Sequence, residues 1–306
     1  MQTPSSPSSA AHPLRWLTHQ PYLLLTLTSL FWAGNIVLGR YVAGHVPPVA
    51  LAFVRWFGAF FILLVLAWPH LRKDWALVRN HIGLMVVLAL TGIATYNTLA
   101  YYGLQFTEAL NASLLQSASP LFVAFWALVL FRQRLTPAQV LGIAVSLAGV
   151  LAIILRGDIG TLTQIRLNRG DVLLTVALFV FAFYSALASK RPAIHSLSFM
   201  AVITGIGSLQ IAPLFVGEMA IGHMLKPDLT TLLTLIYAAT MPSVAAYLCF
   251  NRGIELIGPN RAAPFFHLQP VFASAMAILL LGEEPHLYHA IGYTLVIAGV
   301  FIAARK

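Results

Sequence analysis

Long apolar stretches alternate with short polar connections along almost the whole chain. A helix that crosses a bilayer needs about 20 predominantly apolar residues. Ten stretches meet or approach this length, and the short connections between them favour antiparallel neighbouring helices. The pattern predicts an all-α integral membrane protein with ten transmembrane helices, at residues 22–43, 48–68, 82–104, 107–131, 137–155, 170–190, 198–216, 230–252, 258–281 and 286–304.

The composition supports a membrane protein. Of the 306 residues, 59% are hydrophobic and 9% are charged, whereas soluble globular domains are about 25% charged. The net charge of +9 does not indicate a nucleic-acid partner, because the basic residues lie in short clusters between apolar stretches. The expected partners are the lipid bilayer and a small-molecule substrate. The pattern is compatible with a monomer but leaves the oligomeric state open.

Basic residues are unevenly distributed between the two sides that a ten-span topology creates. Because Lys and Arg are enriched on the cytoplasmic side of membrane proteins, we expect both termini in the cytoplasm and the protein in the inner (plasma) membrane. Arg55 lies inside a span. The side of the termini carries twelve basic residues, namely Arg15, Arg72, Lys73, Arg79, Arg132, Arg134, Lys190, Arg191, Arg252, Arg261, Arg305 and Lys306. The other side carries five, namely Arg40, Arg156, Arg166, Arg169 and Lys226.

The second half of the chain repeats the first. A shift of 150 aligns residues 103–150 with 253–300 without a gap. Each copy holds five spans, an odd number, so the second copy is inserted in the opposite orientation, which is a transporter architecture. The ten identities are Gly103/Gly253, Ala112/Ala262, Pro120/Pro270, Phe122/Phe272, Ala127/Ala277, Leu130/Leu280, Gly142/Gly292, Ala148/Ala298, Gly149/Gly299 and Val150/Val300.

The repeat divides the chain into four parts. We predict a disordered cytoplasmic tail at 1–21, a first five-helix repeat at 22–155, an external linker at 156–169 and a second five-helix repeat at 170–306. The first 13 residues are rich in Ser, Pro and Ala and lack the basic segment and cleavage site of a signal peptide.

Small residues recur on one face of the fifth and tenth spans. Gly142, Ser146 and Gly149 lie on one helix face, and Gly292 and Gly299 repeat the glycines in the second copy. Small residues allow helix backbones to approach closely in lipid. We therefore expect these positions to pack helices together rather than to contact a substrate.

Two matching segments carry a family resemblance. They are ASPLFVAFWALVLFRQRLTPAQVLGIAVSLAGVLAI and LQPVFASAMAILLLGEEPHLYHAIGYTLVIAGVFIA, with FWAGN and ALAFVRWFGAF in the first two spans. They resemble the EamA units of the drug/metabolite transporter superfamily, and the resemblance covers about residues 22–304. It implies ten helices around a central cavity and export from the cytoplasm, most closely by an amino-acid exporter of the YddG type.

The chain departs from the family pattern at two carboxylate positions. Gln269 stands where the family often has a Glu before the central proline of the ninth span. The family's Gly-Glu pair is kept as Gly282-Glu283 but replaced by Arg132-Gln133 after the fourth span. Family roles of those two missing carboxylates are therefore not carried over to this chain.

Two ionisable side chains lie well inside the predicted spans, Arg55 and His267, and no Asp or Glu does. His267 is near mid-membrane and corresponds to Ser117 in the first repeat. Pro120 and Pro270 lie close by and break backbone hydrogen bonds, which suits a cavity wall. We predict that His267 lines the cavity, with packing or proton transfer as alternatives, and that the two prolines are hinges.

Arg55 has two candidate roles. The resemblance implies a structural or gating role, whereas its planar guanidinium would also suit contact with a substrate carboxylate.

Aromatic and amide side chains in mid-span are the remaining candidates for the cavity. Trp and Tyr walls would stack flat apolar solutes while amides hold their polar ends, although aromatic residues are also ordinary packing. The predicted cavity residues are Trp32, Asn35, Tyr96, Asn97, Tyr101, Ser117, Tyr184, Tyr247, His267 and Gln269.

Four residues near the tenth span resemble a metal cluster: Glu283, Glu284, His286 and His289. No cysteine or further histidine lies nearby in the sequence, so we predict a solvated loop, with no metal and no cofactor. The single cysteine, Cys249, excludes an internal disulfide.

The sequence predicts a transporter that exports small metabolites, most closely aromatic or other apolar amino acids, by facilitated diffusion or exchange. The absence of deep carboxylates favours this mechanism over proton antiport. The alternatives are a proton-coupled multidrug or metabolite exporter and a membrane-embedded enzyme. An enzyme would need a nucleophile–base pair or a metal site, which the spans do not supply, so no catalytic residue is predicted.

Overall fold

The computed structural model describes residue 16 and residues 18–132, 136–155, 168–257, 265–266 and 268–304. Throughout that part of the chain the protein is all-α, without a strand. The helices are α1 (Pro21–Tyr41), α2 (Pro48–Asn80), α3 (Ile82–Gly103), α4a (Ala109–Gln116), α4b (Ser119–Phe131), α5 (Pro137–Ile154), α6 (Arg169–Ala188), α7 (Ser196–Ala220), α8 (Leu229–Ile257), α9 (Leu268–Leu281) and α10 (Leu287–Ala304).

Each predicted span coincides with a helix. Six helices, α1, α2, α3, α6, α7 and α8, are long and apolar enough to cross a membrane. The two parts of α4 qualify together and are bent by 44°, while α5, α9 and α10 are shorter apolar helices. The predicted start of the ninth span, most of the predicted tail and the linker at 156–167 lie outside the described residues.

Helix α2 is longer than its hydropathy predicted. It continues from residue 68 to Asn80. Ala67, Leu71 and Val78 share one face of this extension and are buried, whereas the basic residues there are exposed. The extension is therefore amphipathic, and packing of its apolar face keeps it helical.

Hydrogen bonds at one end of the bundle show that successive helices alternate in direction. Glu218, near the end of α7, accepts from the backbone N–H groups of Val49 and Ala50 at the start of α2. Arg40, at the end of α1, donates to the carbonyl of Leu104 just after α3. We call this end the distal face, and the opposite end, where α1 begins and α10 ends, the terminal face.

The helices pack in an arrangement with an internal two-fold relationship. α2 packs on α7, and α5 packs on α10. α1 packs on α8 and α9, just as α6 packs on α3 and α4b. When each helix of the first repeat is exchanged with its counterpart five helices later, this set of contacts maps onto itself.

The seam between α5 and α10 depends on small residues. A Cβ atom at Gly149 would lie 2.6 Å from the carbonyl oxygen of Gly292, and one at Gly299 would collide with Ser146. Ser146 Oγ donates to the Val296 carbonyl at 3.0 Å. The prediction that these glycines pack helices together is confirmed.

Candidate functional site

Two short π-helical segments interrupt helices at matched positions of the two repeats. They are Leu90–Thr95 in α3 and Met241–Ala245 in α8, and the shift of 150 places one on the other. Single π turns are rare and are frequent at functional sites. They mark the centre of the bundle as the place to look for a site.

Polar side chains take up the carbonyls that the π turns leave without their usual α-helical partners. Asn97 Nδ2 donates to the carbonyls of Gly92 and Ile93, at 3.3 and 2.9 Å. In the other repeat, Ser243 Oγ donates to the Ala238 carbonyl at 2.8 Å. Both polar groups are thereby fixed in place.

Arg55 connects the two π segments. Its Nε donates to Ser243 Oγ at 2.6 Å, and its Nη1 donates to Asn97 Oδ1 at 3.0 Å. Nη1 also donates to the hydroxyl of Tyr101 at 2.9 Å, and that hydroxyl donates to Asn35 Oδ1 at 2.6 Å. One buried side chain thus links α2, α3 and α8 directly, and α1 through Tyr101.

The charge of Arg55 is compensated by neutral groups. The residue is 5% exposed, and its guanidinium lies over the Trp56 ring at 4.5 Å from the centroid. Neither of the two ion pairs in the described part of the chain includes Arg55. Hydrogen bonds and a cation–π contact therefore hold this charge in the bundle.

Glutamines meet where α4 is broken. Gln269, in the first turn of α9, donates from Nε2 to Gln116 Oε1. Gln116 Nε2 in turn donates to the hydroxyl of Tyr96 at 3.4 Å. The next residue, Ser117, has a buried hydroxyl without a hydrogen-bond partner in the described structure. Neutral polar groups therefore collect between α3, α4 and α9.

One aromatic wall surrounds Trp32. Its indole Nε1 donates to the Pro242 carbonyl in the second π segment, at 3.1 Å. The indole makes an edge contact with Tyr247 at 5.5 Å, a tilted contact with Phe250 at 5.6 Å and a stacked contact with Phe266 at 5.8 Å. This wall is formed by α1, α8 and the segment before α9.

A second aromatic group lies against the first π segment. Tyr96 contacts Phe181 at 4.5 Å, and Phe181 contacts Tyr184 at 5.4 Å. A Cβ atom at Gly92 would lie within 3 Å of the Tyr184 ring, so only glycine allows this approach. Trp32 and Tyr184 thus lie against the two π segments that Arg55 connects. The two aromatic groups therefore flank the same region of the bundle.

Comparison with known proteins identifies the family. The pattern of the EamA-like transporter family matches residues 20–155 and 168–305, one unit in each half. The chain belongs to the EamA-like transporter family. It is thus a multi-pass membrane protein of the drug/metabolite transporter superfamily, built from two repeats.

Relatives of this EamA-like transporter have similar lengths. An uncharacterized transporter of Archaeoglobus fulgidus is 29% identical over 95% of this chain and 99% of its own. A probable amino-acid metabolite efflux pump of Salmonella typhimurium is 26% identical over 91% and 93%. A probable terminal-alkyne amino-acid exporter of Streptantibioticus cattleyicolor is 25% identical over 92% of each chain. Together they indicate a small-molecule exporter.

A solved crystal structure shares the fold. It has a TM-score of 0.59 and 18% identity, and the match covers 93% of this chain and 97% of the other. At this identity the likeness concerns the fold alone.

The structure of this EamA-like transporter brings most of the predicted cavity residues into one region. Trp32 contacts Tyr247. Asn97 and Tyr101 accept from Arg55, and Asn35 accepts from Tyr101. Tyr96 and Gln269 meet through Gln116, which precedes Ser117, and Tyr184 reaches Tyr96 through Phe181. His267 lies outside the described residues. Pro120 stands in the first turn of α4b, directly after the break in α4, and Pro270 is buried in the first turn of α9. Whether these prolines act as hinges stays a prediction.

Three residues of the central site were not predicted from the sequence. Gln116 is the first, although its position beside Ser117 in mid-span is a signal of a polar site. Ser243 follows a proline in mid-span, which could have indicated a helix irregularity that needs a polar partner. Phe266 gave no signal beyond its aromatic character.

The segment before α10 differs from the predicted solvated loop. Glu284 and His286 are exposed, but His289 is 4% exposed and its Nε2 pairs with Asn111 Oδ1 at 2.8 Å. Glu283 accepts from backbone N–H groups at the start of α4a. The solvated-loop prediction was wrong for these two residues, because they fasten helices together. Among the described residues no group of three or more His, Cys, Asp or Glu is arranged to hold a metal ion.

Proposed function

We propose that this transporter exports amino acids, with preference for aromatic and other apolar side chains, from the cytoplasm by facilitated diffusion or exchange. The observation that carries the proposal is the central site itself, in which aromatic walls enclose neutral hydrogen-bonding groups. Relatives named as amino-acid exporters support the substrate class.

The site offers two kinds of contact to such a substrate. The rings of Trp32 and Tyr247 present flat apolar surfaces, which suit an aromatic or branched side chain. Gln116, Gln269 and the unpartnered hydroxyl of Ser117 supply donors and acceptors for polar ends. Binding sites that combine mostly apolar walls with a few placed polar groups are typical for small molecules.

The distribution of acidic residues supports transport without obligatory proton coupling. Every Asp and Glu in the described residues lies near a helix end or in a connection. A proton carrier needs a group that titrates as the site alternates, and a buried carboxylate is the usual one. The buried carboxylates Asp171 and Glu218 lie at the distal ends of α6 and α7, so His267 is the candidate at mid-span for the alternative, a proton-coupled exporter.

We propose that Pro120 and Pro270 are the hinges of alternating access. They hold matched positions in the two repeats, and α4 is bent just before Pro120. Each lies in the first turn of a helix that lines the site, so a small change of backbone angle there would move one half of the helix.

The substrate class can be tested by counterflow into proteoliposomes preloaded with unlabelled amino acids. Labelled phenylalanine, tryptophan and leucine should enter in exchange for the unlabelled amino acids, and they should be recovered from the vesicles chemically unchanged. A proton-coupled exporter would instead accumulate solute when only a pH gradient is imposed, and His267→Gln would abolish that accumulation. Recovery of a modified product would identify an enzyme.

The orientation can be tested separately. We expect both termini in the cytoplasm because the ten-span topology assigns twelve basic residues to the side of the termini and five to the other side. A reporter that is active only in the cytoplasm should be bright when fused after Lys306, and one active only outside should be silent. The reverse result would invert the direction of export.

A further inference from the structure

We propose that Arg55 binds the carboxylate of the substrate through its Nη2 nitrogen, and that a carboxylate is therefore a required feature of transported molecules. This inference rests on the proposed function, because it specifies how the same central site selects its amino-acid substrates.

The hydrogen-bonding inventory of Arg55 leaves one side of the guanidinium unused. A guanidinium has five N–H donors in a rigid plane. Nε uses its hydrogen on Ser243, and Nη1 uses its two on Asn97 and Tyr101. Within the described residues Nη2 has no acceptor for its two hydrogens. That edge is free to receive an oxygen ligand.

The groups around Arg55 cannot rotate to serve the unused edge. Ser243 is fixed by its bond to the Ala238 carbonyl, and Asn97 by its bonds to the carbonyls of the first π segment. Tyr101 is fixed by its bond to Asn35. The guanidinium is therefore held in one orientation before any ligand arrives, which reduces the entropic cost of binding.

The charge of Arg55 favours an anionic ligand. Arginine stays protonated at any physiological pH, and this one is buried with only neutral acceptors around it. Burying a charge without a counterion is costly, so an arriving carboxylate recovers part of that cost and forms a charge-assisted hydrogen bond. A neutral amide in the same place would recover little of it.

The position of Arg55 suits a substrate whose side chain lies on the aromatic walls. Arg55 bonds Ser243 in the second π segment and Asn97, which holds carbonyls of the first. Trp32 and Tyr184 pack against these same two segments, so a molecule between the two aromatic groups would lie beside the guanidinium. An α-amino acid fits this arrangement, with its carboxylate on Nη2 and its side chain against Trp32 and Tyr247.

The test compares acids with matched neutral compounds. Inhibition of counterflow in proteoliposomes is measured for L-phenylalanine, L-phenylalaninamide, 3-phenylpropionate and phenethylamine. Hydrogen bonds to charged groups contribute enough free energy that the wild type should prefer the two carboxylates over the amide and the amine by roughly 10- to 100-fold. Equal inhibition by acid and amide in the wild type would overturn the proposal without any variant.

Variants then assign the preference to Arg55. Arg55→Gln should abolish the preference for carboxylates, so that the acid and the amide inhibit alike, while Arg55→Lys should retain part of the preference. Arg72→Gln is the matched control, because Arg72 lies exposed on the same helix and the substitution removes the same charge. A folded Arg55→Gln protein that still prefers the acid would contradict the proposal, and if this variant is lost from the membrane the Arg55→Lys ratio decides.

The outcomes separate this inference from the proposed function. Inhibition by 3-phenylpropionate but not by L-phenylalanine would remove amino acids as substrates while the carboxylate site stands. Inhibition by phenylalanine and its amide alike would keep amino-acid export and remove the role of Arg55. Failure of both carboxylates to inhibit transport of a solute that the protein does carry would also overturn the proposal.

Discussion

The two faces of the bundle are fastened by the same kind of contact but to different degrees. At the distal face, Glu218 reaches from α7 to two backbone N–H groups at the start of α2, and it is 7% exposed. At the terminal face, Asp74 reaches from α2 to the backbone N–H of His195 at the start of α7 through an exposed bond. Because α2 and α7 are counterparts in the two repeats, these contacts are equivalent under the internal two-fold relationship.

Local capping explains why the distal contact matters more. The residue before α2 is Pro47, whose side chain caps nothing, so the first N–H groups of the helix depend on Glu218. Helix α7 has its own cap, because His195 Nδ1 accepts from the N–H of Leu197. A carboxylate at an uncapped helix start satisfies N–H groups that would otherwise be orphaned and interacts favourably with the helix dipole.

A second distal contact uses a carboxylate whose counterpart in the first repeat is an uncharged residue. Glu283 accepts from Ala109 and Leu110 at the start of α4a, each at 2.8 Å. The shift of 150 places Gln133 at the equivalent position, outside the described residues, and glutamine carries no charge. The distal face is also tied by Asp171, which is fully buried and accepts from Thr107.

In the described part of the chain, more buried carboxylate contacts join helix ends at the distal face than at the terminal face. α4a, the distal half of the fourth helix, packs on α9, whereas α4b packs on α6. An alternating-access cycle would have to release the distal contacts to open that face. Their number and burial would then decide how much of the population rests in the distal-closed state.

The largest expected effect comes from exchanging the two equivalent carboxylates for alanine. Glu218→Ala should lower the free energy of unfolding by about 3 kcal/mol, because it leaves two N–H groups and a helix start without a partner. Asp74→Ala should cost less than about 1 kcal/mol, since its bond is exposed and α7 keeps its own cap. Unfolding in detergent, followed by tryptophan fluorescence, measures both. Equal losses would show that the two faces are fastened alike.

Removing the Glu283 contact with α4a should lower the stability less than Glu218→Ala does, but it should also change the accessibility of the site. Glu283→Ala should cost about 2 kcal/mol and make the site more accessible from the distal face, because it frees the start of α4a. The measurement is labelling of Ser117→Cys, in a Cys249→Ser background, by a membrane-impermeant thiol reagent added at the distal face. Glu284→Ala is the control, because Glu284 is its exposed neighbour. Unchanged labelling in Glu283→Ala would exclude a role for this contact in closure.

The spans and the repeat could be predicted because lipid imposes a long apolar pattern on every helix. The π segments could not be, since a π turn changes the hydrogen-bond register without changing the composition of α3 or α8. Ser117 could be predicted because the repeat aligns it with His267, and Gln269 because it stands at a carboxylate position of the family pattern. The roles of Glu218 and Glu283 escaped prediction because each acts on a helix from the other repeat, more than 160 residues away in sequence. Such contacts depend on tertiary packing alone.

The smallest expected effect is a pH dependence at the distal face. Asp228 is the N-cap of α8, and its carboxylate accepts from the backbone N–H of Thr231 at 2.8 Å. This hydrogen bond, together with a weaker contribution from His45 at 2.9 Å, lowers the pKa of Asp228 below its ordinary value. Because the pKa is lower in the folded than in the unfolded protein, the stabilisation is fully present above the unfolded value of about 3.9 and is lost as the pH falls through the folded value. The difference in melting temperature between the wild type and Asp228→Asn should therefore be constant between about pH 5 and 7 and should shrink as the pH falls below the unfolded value. A difference that already shrinks between pH 7 and 5 would contradict the assignment of this stabilisation to the helix cap.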